Sequence, residues 1–179
     1  MNLEEIAKKM CAKGKGILAA DESTGTIAKR FKSINVENNE NNRLIFRQTL
    51  FSSNAMKNYI GGVILFDETI KQKTTIGPTI PELISKNNAI PGIKVDKGAK
   101  ILASSSEETI TEGLDGLRER LKEYYDLGAR FTKWRAVYKI GEKFPSPQSI
   151  KSNAHALARY AALVQEAQMV PIVEPEVLM

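Results

Sequence analysis

Charged residues recur two positions apart inside runs that otherwise read as buried β-strands. The runs are GIKVDKG, with Lys94 and Asp96, FTKWRAV, with Lys133 and Arg135, and VPIVEPEV, with Glu174 and Glu176; a further run, GILAADEST, leads into Asp21. Residues i and i+2 of a strand share a face. Each pair therefore sets two charges on one side of an apolar ribbon. Burying a charge is costly unless it is paired or used. When successive strands carry the same cost, the simplest account is one polar site built from their ends. That is the arrangement of an α/β barrel, whose chemistry sits at the C-terminal face of its strands.

Strand-like and helix-like segments alternate along the chain. Residues 2–13 read as an amphipathic helix, and Gly16 to Asp21 as a short apolar strand of the buried parallel type. TIAKRFKSI reads as a helix with Ser23 or Thr24 as its N-cap. The polar stretch Asn38 to Asn42 reads as the approach to a second helix, NNRLIFRQTLFSS, whose apolar positions are Leu44, Phe46, Leu50 and Phe51. Tyr59 to Glu68 is the next strand, and its glycines suggest close backbone approach. A loop with Gly77, Pro78 and Pro81 separates it from a third strand, Pro91 to Lys97. Leu114, Leu117, Leu121 and Tyr125 recur at helical spacing, and Gly128 is placed to end that helix as its C′ residue. FTKWRAVYKI is the fourth strand. A long helix, SIKSNAHALARYAALVQEAQ, carries a stripe of Ala154, Leu157, Ala161 and Val164, and VPIVEPEV is the fifth strand. Alternating strands and helices imply a parallel sheet with right-handed crossovers. The expected fold is an α/β (β/α)8 TIM barrel in a single domain over residues 1–179, with about the first five strands present. A closed eight-stranded barrel takes ~250 residues, so the five strands amount to about two-thirds of one, and the chain is expected to be the N-terminal part of a longer enzyme. No GxGxxG or GxxxxGK[ST] loop supports a nucleotide-binding open sheet instead.

The net charge of +5 suits anionic partners such as phosphorylated metabolites. No basic block of five or six residues points to nucleic acid. Cys11 is the only cysteine, so the chain holds no internal disulfide, and it reads as a packed thiol. The only histidine, His155, lies in a helical stretch as a surface or packing residue, so no zinc site is expected. No h-region opens the chain and no apolar run approaches the ~20 residues of a membrane span. A cytoplasmic protein without membrane contact is expected.

Asp21, Lys94, Lys133, Arg135, Glu174 and Glu176 all fall near strand ends. Clustered lysines depress one another's pKa, and a depressed lysine can attack a carbonyl to form a Schiff base. Neighbouring carboxylates can move protons during dehydration and carbon–carbon cleavage. Arg30, Arg135 and Lys94 could hold phosphate. The same spacing also fits plain buried ion pairs, Lys133 with Glu174 or Lys94 with Asp21. Asp96 and Lys97 read as structural, on the strand's outer side or in its loop. Trp134 alternates with Lys133 and Arg135 and is expected to face the helices.

GKGILAADEST, IGGVILFDET, PGIKVDKG, TEGLDGL, ARFTKWR, LARYA and VPIVEPEVL stand in the same order as in class I (Schiff-base) fructose-bisphosphate aldolases, and the chain resembles that family from about Gly14 to Met179. The resemblance implies a (β/α)8 barrel needing no metal or cofactor. Its activity would be glycolytic and gluconeogenic, interconverting fructose 1,6-bisphosphate with dihydroxyacetone phosphate and glyceraldehyde 3-phosphate. By motif, Asp21 resembles the acid at the substrate C4 hydroxyl, and Lys133 the lysine that assists Schiff-base formation. Glu174 is similar to the general acid/base, and Glu176 to the carboxylate that orients the imine lysine. Lys94 and Arg135 resemble substrate-binding residues, and Ser23, Thr26 and Arg30 fall where the family binds the distal phosphate. The family's imine-forming lysine belongs to a sixth strand that this chain lacks, and Lys133 is not cast in that role. The resemblance also implies a homotetramer and association with cytoskeletal partners such as actin. The alternative is a non-catalytic aldolase-like binding or scaffold protein.

Overall fold

The computed structural model describes residues 1–178. In chain order the elements are α1 (Leu3–Met10), β1 (Gly16–Ala20), α2 (Thr24–Ser33), α3 (Glu40–Phe51), α4 (Asn54–Tyr59), β2 (Ile60–Leu65), α5 (Asp67–Ile70), α6 (Ile80–Lys86), β3 (Ile90–Lys94), β4 (Ala99–Ile101), β5 (Thr109–Thr111), α7 (Leu117–Asp126), β6 (Phe131–Lys139), α8 (Pro147–Glu166) and β7 (Val170–Leu178). The five expected strands form one parallel sheet in the order β1-β2-β3-β6-β7. Strands β4 and β5 form a separate antiparallel hairpin between β3 and α7 that the apolar pattern did not reveal. Each is three residues long, β4 exposed and β5 half-buried with Thr111 its one buried residue, so neither makes an apolar run.

The sheet is curled into part of a barrel. Asp21, just past β1, meets Lys133 of β6 at 3.1 Å across the concave side. Three strand spacings separate β1 from β6, which in a flat sheet would hold them about 14 Å apart. Two apolar clusters support this shape. On the concave side Ile64, Ile90 and Phe131 pack with Ile6 and Met10 of α1, which closes the floor. On the convex side Val63, Leu65, Ile93, Trp134 and Ala136 pack against Leu117, Leu121, Tyr124, Leu157, Tyr160 and Val164 of the outer helices. Glycines make the floor possible. A Cβ on Gly92 would overlap the Phe131 ring, and one on Gly62 would approach it to 3.1 Å. The backbone of Gly61 leaves no room for a Cβ beside the Met10 carbonyl.

The local signals act largely as read. Ser23 caps α2, Asn39 caps α3, and Gly128, with φ of +110°, follows the end of α7. Trp134 is fully buried and packs at 5.4 Å from the ring of Tyr160. Other details differ. Leu50 and Ala154 face solvent, and α3 instead buries Arg43 and Arg47 beside Phe51. The buried stripe of α8 runs through Asn153, Leu157, Tyr160 and Val164, because the helix packs against β7 and β6 of the sheet and against β5. Cys11 is exposed rather than packed, since it lies just beyond the last turn of α1. The stretch read as a loop with Pro81 holds α6, started by a reciprocal Thr79–Glu82 capping box.

Candidate active site

Parallel register explains which side chains meet. Gly92 is level with Phe131, and Lys94 with Lys133. Side chains alternate between the two faces of a strand, so the apolar floor gives way one layer higher to Lys94 and Lys133. Arg135 is level with Glu174, and Val137 with Glu176. Lys94, Lys133 and Arg135 open on a cleft of about 320 Å3 that is lined also by Asp21, Glu22, Ser23, Thr26, Asp96, Gly98 and Ala99; Glu174 and Glu176 are not among its lining residues and join the site through their ion pairs.

Lys133 is the centre of the cleft. Its ammonium lies 3.1 Å from Asp21 Oδ2 and 3.2 Å from Glu174 Oε2. Burial pulls its pKa down, but the two carboxylates outweigh burial and the net shift is upward. The expectation that neighbouring lysines would depress one another is therefore overturned at Lys133. Two anions at contact distance outweigh the cost of burial, and the amine is held protonated, which suits proton transfer and charge stabilisation better than nucleophilic attack.

The expected pair of Lys133 with Glu174 is present, and that of Lys94 with Asp21 is not. Asp21 turns to Lys133, while the nearest carboxylate to Lys94 is Asp96, at 4.0 Å. Lys94 also lies 6.0 Å from the centroid of the Phe66 ring. Arg135 pairs with Glu176 at 2.9 Å near the open rim. Ser23 Oγ accepts from the Thr26 amide and lies 3.1 Å from Thr26 Oγ1, so two hydroxyls face the cleft at the start of α2. Arg30 stands outside the lining residues and is ion-paired with Glu22.

Asp96 combines a structural contact with a place in the site. It lies in the loop after β3, and Oδ1 accepts from the Gly98 amide at 3.0 Å, which is the structural role expected of it. It also lines the cleft, so its place beside Lys94 belongs to the site. Sequence reasoning missed Glu22, Phe66 and Arg47. Arg43 and Arg47 are four apart on a helix, in line with Phe51, and that spacing was the available signal. Among the described residues no group of His, Cys, Asp and Glu is arranged to hold a metal ion, and no helix is long and apolar enough to cross a membrane.

Residues 2–179 match the family described as fructose-bisphosphate aldolase class-I. The chain is 59% identical over 177 residues to a probable fructose-bisphosphate aldolase class 1 of Xanthomonas axonopodis pv. citri, covering 99% of this chain and 53% of that protein. It is also 59% identical over 176 residues to the cytosolic fructose-bisphosphate aldolase 5 of Arabidopsis thaliana, covering 98% of this chain and 49% of that protein. Among solved structures, the fructose-bisphosphate aldolase of Plasmodium falciparum, crystallised with TRAP and a small-molecule inhibitor, superposes with a TM-score of 0.94 at 50% identity, over 97% of this chain and 51% of that one. The chain thus spans about half the length of the relatives it matches, less than its strand count suggested.

Proposed function

The chain belongs to the class I fructose-bisphosphate aldolase family, and from that premise we propose that it forms the acid–base half of a Schiff-base aldolase. The reaction is reversible cleavage of fructose 1,6-bisphosphate to dihydroxyacetone phosphate and glyceraldehyde 3-phosphate, in glycolysis and gluconeogenesis. The observation that carries this reading is the bracketing of Lys133 between Asp21 and Glu174 at the strand ends.

In this reading the imine forms on a lysine outside these 179 residues. Glu174 donates and recovers the proton during carbinolamine dehydration and bond cleavage. Lys133 stabilises developing negative charge while its own proton is shared with both carboxylates. Asp21 accepts at the substrate hydroxyl whose deprotonation breaks the carbon–carbon bond. Glu176, tied to Arg135, orients the imine lysine, and Arg135 and Lys94 hold the substrate. Ser23 and Thr26 offer hydroxyls to the distal phosphate, and Arg30 joins them on leaving Glu22. A homotetramer in the cytoplasm, with actin as a further partner, completes the proposal. The cytosolic name of the Arabidopsis relative supports that location.

The test uses the full-length protein that carries this chain. Incubation with dihydroxyacetone phosphate and borohydride is expected to raise its intact mass by one reduced adduct. Glu174→Gln is expected to lower turnover by about 10²- to 10⁴-fold, the range for lost general acid–base catalysis, with a far smaller change in KM. Unchanged turnover would refute the role of Glu174, and an adduct-free protein would point to the non-catalytic binding reading.

A further inference from the structure

Arg47 is wholly buried, yet it is a cation on the face of α3 that packs behind the cleft. A buried charge is worse than an apolar side chain of equal size unless its geometry does something an apolar residue cannot. Nη2 donates to the backbone carbonyl of Glu22 at 2.6 Å, and Nη1 to the Thr69 hydroxyl at 2.6 Å. The carboxylates of Glu22 and Glu68 lie 3.9 and 3.8 Å away, outside hydrogen-bond range. The short contacts are therefore to a peptide carbonyl and a hydroxyl, and the carboxylates act as a neutralising field.

The place of that carbonyl is informative. The β1–β2 ladder ends at Ala20 paired with Leu65. Beyond it, Asp21, Glu22 and Ser23 leave the sheet to form one wall of the cleft, and the Glu22 carbonyl has no strand partner. Thr69 belongs to α5, which follows β2. One planar guanidinium thus bridges the segments after β1 and β2 where the sheet no longer joins them. Its fork also lies 5.9 Å from the Phe66 ring, the same ring that Lys94 approaches.

We propose that Arg47 is a positioning residue: its guanidinium clamps the Glu22 carbonyl to Thr69 and so fixes Asp21 against Lys133 and Ser23 toward the distal-phosphate position. Arg47 touches no substrate and acts through the 21–23 segment. The inference rests on the aldolase reading for its kinetic readout and for the distal-phosphate position that Ser23 faces; the clamp on residues 21–23 stands on the contacts alone. A lysine at this position keeps the charge but carries its donors on one nitrogen and lacks the rigid two-nitrogen fork that holds both acceptors here, and methionine satisfies neither.

The test compares Arg47→Met and Arg47→Lys in the full-length protein, with crystal structures and with kinetics normalised to folded protein. A misplacement of about 1 Å at a catalytic group costs about 10²-fold in rate. Arg47→Met is accordingly expected to lose about 100-fold in kcat with a raised KM, because both Asp21 and Ser23 move, and Arg47→Lys to fall between it and the parent. Added guanidinium ion is expected to restore part of the activity of Arg47→Ala. Variants that lose only thermal stability, with KM and kcat per folded molecule unchanged, would overturn the proposal. If the parent protein does not cleave fructose 1,6-bisphosphate, the aldolase reading fails, and the crystal structures still decide the clamp. Displacement of residues 21–23 and a lengthened Asp21–Lys133 contact in Arg47→Met uphold it, and an unmoved segment overturns it.

Discussion

Replacing Lys133 with methionine removes the one cation between Asp21 and Glu174 and leaves two carboxylates facing each other. At 3.1 and 3.2 Å, and with an effective dielectric constant of about 20, each pair carries a gross attraction of about 5 kcal/mol. Desolvation of Lys133, 13% exposed, and Asp21, 11% exposed, cancels much of this, and Glu174 at 35% is further screened by solvent. Breaking a buried pair costs about 3–5 kcal/mol, and the screening of Glu174 puts Lys133→Met at the lower end, about 3 kcal/mol. With a urea slope of about 2 kcal/mol/M, the unfolding midpoint falls by about 1.5 M. The sign of a second substitution tests the reasoning more sharply. Glu174→Gln is expected to destabilise the parent slightly but to stabilise the Lys133→Met variant, by about 1 kcal/mol, because it removes one of two opposed charges. If Lys133→Met unfolds within 0.5 kcal/mol of the parent, a limit set by ordinary surface substitutions, the ion triad is not what holds the strand ends together. The same conclusion follows if Glu174→Gln acts alike in both backgrounds.

Two further outcomes follow from the packing. Burial, and then the hydrogen bond it donates to Asp67 at 2.7 Å, push Tyr124 up to about 12. The unfolded phenol ionises first, so this contribution is complete below pH ~10 and is lost as pH rises toward 12. About two pKa units correspond to ~2.7 kcal/mol, and Tyr124→Phe should flatten that part of a stability–pH curve measured by urea titration. Gly92→Ala drives a methyl into the Phe131 ring and is expected to cost about 1–3 kcal/mol; adding Phe131→Leu should return much of it, and no recovery would place the strain elsewhere.

The strand order and the inward charges were legible because parallel strands advertise themselves as short apolar runs and because alternation is strict. Alternation alone assigns Lys133, Asp21 and Glu174 to one polar site at the strand ends. The partner of each was not legible. Asp21 reaches Lys133 rather than Lys94 because the sheet curls, and curvature is a property of floor packing by Phe131, Gly62 and Gly92 rather than of any one strand. Arg43 and Arg47 were hidden for a different reason. A hydropathy stripe discards arginine, so a helix that buries two guanidinium groups against Glu22, Thr69 and Glu68 reads as having its apolar face elsewhere. The β4–β5 hairpin escaped because its strands are short and carry almost no buried side chain. Thr111 nevertheless anchors it by donating from Oγ1 to the Arg135 carbonyl at 2.6 Å.

The contacts between β6 and β7 slant across the register. Lys133 is level with Ile172 but forms its ion pair with Glu174, and Arg135 is level with Glu174 but forms its ion pair with Glu176. Each cation therefore sits one inward layer below its carboxylate, deeper in the cup. Seen from the open face, Glu174 and Glu176 lie above the cations they neutralise. Ile172 completes this arrangement. An acid there would stand level with Lys133 and compete with Asp21 for its ammonium, drawing the side chain flat along β7. With an apolar residue at that level, the ammonium has partners only above it and across the cup, and the contact to Asp21 becomes the one that spans the curled sheet. The uncharged position in VPIVEPEV thus shapes the site as much as the charged ones do.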